Sequence, residues 1–131
     1  MPSDKKQIYI IDDDESVRRA LKSLLMTFDF DVKTFNSAKS FFDSAPNDDS
    51  GCIVLDIHMP GLDGWETQKR ILASGSKRPV IFISAAKENV ADRALKVGAV
   101  GFLQKPFDGQ TLVDLINTAS DNNSSKNQKQ E

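Results

Sequence analysis

Five short apolar runs rich in β-branched residues recur along the chain: QIYII at 7–11, DVKTF at 31–35, CIVL at 52–55, VIFI at 80–83 and GFLQ at 101–104. The segments between them read as helices. Strands that alternate with helices through short connections must run parallel, joined by right-handed crossovers. Runs as uniformly apolar as CIVL and VIFI suit a sheet covered on both faces. The pattern predicts five βα units in a doubly wound α/β domain.

The helices carry their own signals. Val17, Leu21, Leu24, Leu25 and Phe28 share one face at the 3.6-residue period, and Leu112, Leu115, Ile116 and Ala119 repeat that spacing near the end. Ser37 and the Asp63-Gly64 pair are helix starts, Gly75 and Gly98 are helix stops, and 88–97 supplies the remaining helix. From Ser120 the chain reads SDNNSSKNQKQE, with no apolar residue. Such a segment cannot bury enough surface to offset its ordering entropy, so 120–131 is expected to be a disordered tail or the start of a linker, with the domain proper spanning 1–119.

Composition excludes several classes. A length of 131 residues with 39% hydrophobic content suits one modest core, and 17 basic against 19 acidic residues give a net charge of −2. There is no basic stripe and no segment left over for a recognition helix, so no direct nucleic-acid contact is expected. Cys52 is the single cysteine and lies in an apolar run, which removes disulfide frameworks and cysteine metal clusters. The opening MPSDKKQ lacks an apolar signal region, and no apolar run approaches the ~20 residues that span a bilayer. A cytoplasmic protein is the simplest expectation.

In an open parallel sheet, ligands bind at the carboxyl ends of the strands, where the strand order reverses. Asp12 and Asp13 follow the first strand, Asp56 the third, Ser84 the fourth and Lys105 the fifth. For the run Asp12–Glu15 a helix cap is the plain reading, since acids complement the positive end of a helix dipole. That accounts for Asp14 and Glu15. It leaves Asp56, which ends a different buried strand and would approach Asp12 and Asp13. Three converging carboxylates repel unless a cation sits among them, and an oxygen-only ligand set suits Mg2+. A metal, an ammonium, a hydroxyl and one further carboxylate are the parts of phosphoryl transfer, with Asp56 the candidate nucleophile.

The ordered fragments IIDDDESVR, VLDIHMPGLDG, VIFISA and GAVGFLQKPF resemble the receiver domains of bacterial two-component response regulators, the CheY-like group, and most nearly those of FixJ-like transcriptional regulators. The resemblance covers roughly residues 7–119. It implies a flavodoxin-like (βα)5 fold with strand order 2-1-3-4-5. It also implies roles: Asp12 and Asp13 as the acidic pair holding Mg2+, Asp56 as phosphoacceptor and metal ligand, and His58 as a ligand through its backbone carbonyl. Ser84 would be the switch hydroxyl, Lys105 the lysine contacting the phosphoryl group, Phe102 the aromatic that turns on activation, and the Lys105-Pro106 bond cis.

The implied partner is a sensor histidine kinase or phosphotransfer protein, and the implied output lies beyond this chain, in transcription. The domain would catalyse its own phosphorylation and slow dephosphorylation rather than act as a conventional enzyme. The fourth helix, fifth strand and fifth helix would form the output face, with Val100 and Val113 exposed and phosphorylation-dependent dimerisation as one use. Ala86, in place of a polar side chain two residues after Ser84, implies a long-lived phosphorylated state. Met59, Pro60, Gly61 and Gly64 shape the turn after Asp56. A dehalogenase-type phosphatase needs a second aspartate two residues after the nucleophile, where this chain has His58. The contiguous acids do not match a calcium loop, and no glycine-rich nucleotide motif occurs. A stand-alone receiver or a phosphorylation-independent interaction module is the remaining alternative.

Overall fold

The computed structural model describes residues 5–45, 50–85 and 90–128, with side chains described as far as Ala119. In chain order the elements are β1 (Gln7–Ile11), α1 (Glu15–Thr27), β2 (Asp31–Phe35), α2 (Ala38–Ser44), β3 (Cys52–Asp56), α3 (Gly64–Ala73), β4 (Val80–Ser84), α4 (Val90–Lys96), β5 (Gly101–Gln104) and α5 (Gly109–Gln128). The strands form one parallel sheet in the order β2-β1-β3-β4-β5. Connections leave in opposite directions from the adjacent strands β1 and β3, which opens a crevice at their carboxyl ends.

Every residue of β3 and β4 is buried, as central strands covered on both faces require. Period-two alternation sorts the side chains into two layers. Ile8, Ile10, Val54, Ile81 and Ile83 meet Leu21 and Leu25 of α1 and Leu112 and Ile116 of α5. Tyr9, Ile11, Ile53, Leu55 and Phe82 meet Phe41 of α2, Ile71 of α3 and Val90 and Ala94 of α4. Helix starts follow the expected chemistry: Asp14 accepts from the N–H groups of Ser16 and Val17, Ser37 from that of Ser40, and Asp63 forms a capping box with Glu66. Gly75 and Gly98 end their helices at φ +82° and +88°. Among the described residues, no helix is long and apolar enough to cross a membrane.

Two expectations need correction. Phe28 does not continue the buried stripe of α1: it caps the helix and is 40% exposed. Asp29 turns left-handed at φ +70°, the Phe30 N–H returns to the Leu25 carbonyl at 3.2 Å, and Phe30 packs in the core in its place. Val113 is 3% exposed and belongs to the core, whereas Val100 is open to solvent at 44%. On α5 the buried stripe is wide enough to take in Leu112, Val113 and Ile116 together. The last helix, α5, extends through the polar stretch to Gln128, a run that holds neither glycine nor proline. The segment at 88–97 is a helix from Val90; residues 88 and 89 lie outside the described residues.

Candidate functional site

The crevice collects the residues singled out above. Asp12 and Ser84 are fully buried, Asp56 is 5% exposed, and Asp13 faces solvent. Asp12, Asp13 and Asp56 each offer a carboxylate oxygen within 4.8 Å of the others. The backbone makes this convergence possible: the Asp12 N–H donates to the Phe35 carbonyl at 3.1 Å, and the Ile57 N–H to the Ile83 carbonyl at 3.1 Å. Both bonds extend the sheet one residue past its strands, so the acids project from a rigid edge.

Opposite charge comes from Lys105, whose Nζ lies 3.0 Å from Asp12 Oδ2 and 3.6 Å from Asp56 Oδ1. One ammonium does not balance the group. Burial, and then the charge of Asp12, push the Asp56 carboxyl up to about 6, with a further push from Asp13; Lys105 and the His58 backbone N–H pull the other way. Desolvation works to lower the Lys105 ammonium, yet the hydrogen bond to Asp12 and the charges of Asp56 and Asp12 outweigh it and raise the pKa overall. Excess negative charge on an all-oxygen donor set fits a small, hard divalent cation.

The neighbouring acids do different work. The carboxyl of Asp14 is held below its usual range by the Ser16 hydroxyl, then by the N–H groups of Val17 and Ser16, which marks it as the helix cap. Glu15 pairs with Arg19 at 3.0 Å on the exposed face of α1. The turn after Asp56 presses against that residue: a Cβ on Gly64 would lie 2.6 Å from Ile57 Cα and 2.7 Å from the Asp56 carbonyl oxygen. Only glycine fits there unstrained.

His58 is exposed. Phe102 is half-buried in β5, in register with Phe82 of β4, two residues before Ser84. Lys105-Pro106 is a cis peptide. Ala85 is exposed beside Ser84, while Ala86 lies outside the described residues. Sequence reasoning missed Arg18, whose Nη1 donates to the Asp12 carbonyl at 2.8 Å and braces the loop that carries Asp12 and Asp13. Its position one turn into α1, within reach of the loop before the helix, was the available signal.

Residues 8–117 match the family model described as the response regulator receiver domain. The chain belongs to that family. It is 41% identical over 113 residues to the transcriptional regulatory protein TdiR of Thauera aromatica, covering 86% of this chain and 50% of that protein. It is also 41% identical over 116 residues to the transcriptional regulatory protein FixJ of Bradyrhizobium diazoefficiens, covering 88% and 57%. Among solved structures, the response regulator StyR superposes with a TM-score of 0.86 at 38% identity, over 96% of this chain and 64% of that one. The chain therefore spans about half the length of the curated relatives it matches. Receiver domains generally bind Mg2+ at an acidic pocket and, in two-component systems, are phosphorylated by histidine kinases.

Proposed function

We propose that this receiver accepts a phosphoryl group on Asp56 from the phosphohistidine of a sensor kinase or phosphotransfer protein, and that the modification controls an output domain acting on transcription. The observation that carries the reading is the grouping of a buried, strand-end Asp56 with Asp12, Asp13 and the Lys105 ammonium at one edge of the sheet. At neutral pH a carboxyl that titrates near 6 is mostly ionised, so Asp56 is available as a nucleophile.

One Asp56 oxygen attacks phosphorus in line with the donor. An O–P bond forms, the P–N bond to the histidine breaks, and the imidazole nitrogen keeps the electron pair. Lys105, already drawn to Asp12 and Asp56, is in place to pair with the phosphoryl oxygens. The carboxylates of Asp12, Asp13 and Asp56 and the His58 carbonyl would hold a divalent cation, which when bound neutralises charge on the transferring group. Ser84, in the strand beside Asp56, would donate its hydroxyl to the product, and Phe102 on the adjoining strand would turn toward it.

In this reading the receiver core closes at Ala119, the last buried side chain of α5 among the described residues, and the polar remainder of that helix would serve as the connection to an output domain. Pairing of phosphorylated copies through α4, β5 and α5 is supported by Leu95 and Val100, which stand 61% and 44% exposed on that side.

Intact mass after incubation with acetyl phosphate, with and without Mg2+, tests the reading. A base-labile phosphoryl adduct that needs Mg2+ and vanishes in Asp56→Asn is expected. Absence of an adduct under every condition would overturn it and leave an interaction module that works without phosphorylation.

A further inference from the structure

Three segments meet over the sheet face that carries Phe82 and Phe102, and the side chains joining them take no part in the site described above. Trp65, the sole tryptophan, stands in the first turn of α3. That turn is fastened to the end of β3, with the Gly64 N–H donating to the Ile57 carbonyl at 2.8 Å and the Gly64 backbone packed on that of Asp56. The Trp65 indole lies on Phe82, ring centroids 4.9 Å apart and planes tilted by 55°. From α4, Arg93 places its guanidinium carbon 4.1 Å from the indole centroid. Asp56, the strand that carries Ser84, and α4 are thus joined through one ring.

The rest of the α3/α4 seam is lightly built. Within α4, Val90 and Ala94 are the buried side chains. Gln68 of α3 donates from Nε2 to the Val97 carbonyl at 3.0 Å, and its buried Oε1 has no partner among the described residues.

We propose that the Arg93–Trp65 stack is a clasp that holds α4 in its resting position over Phe102, and that a phosphoryl group on Asp56 releases it through the first turn of α3, an inference that rests on the receiver reading above. An exposed cation–π stack biases an equilibrium by about two- to five-fold. New charge-assisted hydrogen bonds at Asp56 exceed that and can override it. Linkage makes the effect reciprocal: if phosphorylation loosens the clasp, loosening the clasp must favour the phosphorylated form by the same factor.

The full chain is compared with Arg93→Met, which keeps the stem and removes the charge, with Trp65→Leu, and with the double variant. Amide exchange over 90–97 is followed without ligand, and binding of beryllofluoride with Mg2+ is measured by calorimetry. Arg93→Met should raise exchange in α4 about two- to five-fold and tighten beryllofluoride binding by the same factor. Arg93→Lys should restore most of both, and Arg93→Met should add nothing in the Trp65→Leu background, where the stack is already gone. Wild-type exchange and affinity in Arg93→Met, with an acetyl phosphate adduct still forming, would sink the clasp and leave the receiver reading intact. Failure of the wild type to form an adduct would sink both.

Discussion

Replacing Asp56 by asparagine removes the nucleophile and should make the metal-free protein more stable. Burial and the neighbouring acids raise the Asp56 carboxyl from 3.8 to about 6, so its ionised form opposes folding. The full rise corresponds to about 3 kcal/mol. Screening at the open mouth of the crevice reduces this to about 1–2 kcal/mol. The favourable pull of Lys105 is already contained in that net rise, and asparagine keeps an oxygen to accept from the His58 N–H.

The pH dependence follows from the direction of the shift. Below pH 3.8 the carboxyl is protonated in both folded and unfolded chains and opposes nothing; its opposition grows as pH climbs and is complete once pH exceeds the folded value near 6. Urea unfolding in the presence of a chelator should therefore show Asp56→Asn more stable than the native chain at pH 7.5, with about half of that advantage left at pH 5. Millimolar Mg2+ should narrow the gap, because a ligand of the folded state stabilises the native chain by mass action. An asparagine variant less stable than the native chain without metal, or a difference unchanged between pH 7.5 and 5, would refute the electrostatic account of the site.

Gly64→Ala should lose about 1–3 kcal/mol in urea unfolding and slow the formation of the acetyl phosphate adduct, since the new methyl meets backbone rather than a side chain that can move. Asp29→Gly should gain up to about 1 kcal/mol, read as a higher urea midpoint, by relieving a left-handed non-glycine at the end of α1. Burial pushes the Cys52 thiol up to about 12, so iodoacetamide labelling at pH 8 should be negligible in the native chain and rise with urea in step with global unfolding.

Much of the architecture was legible because it depends on local pattern. Strand and helix positions follow from hydrophobic period and punctuation, and Asp14, Ser37, Asp63, Gly75 and Gly98 each act within a few residues of themselves. Parallel strands with crossovers place their carboxyl ends together, so Asp12, Asp13, Asp56, Ser84 and Lys105 could be gathered at one edge before any distance was known. The residue types then narrowed the chemistry, and four ordered fragments pointed to the family.

What the tertiary structure decided concerns which neighbour covers a given surface, since a period marks a face and says nothing about what packs on it. Phe28 and Val113 exchanged the exposure expected of them because a left-handed Asp29 redirected the chain and because the packed face of α5 is broader than one stripe. The 3.0 Å reach of Lys105 to Asp12, the rise of Asp56 to about 6 and the stack of Arg93 on Trp65 join residues distant in sequence. Their strength depends on burial and on separations of a few ångströms, quantities set when the two helical layers close over the sheet.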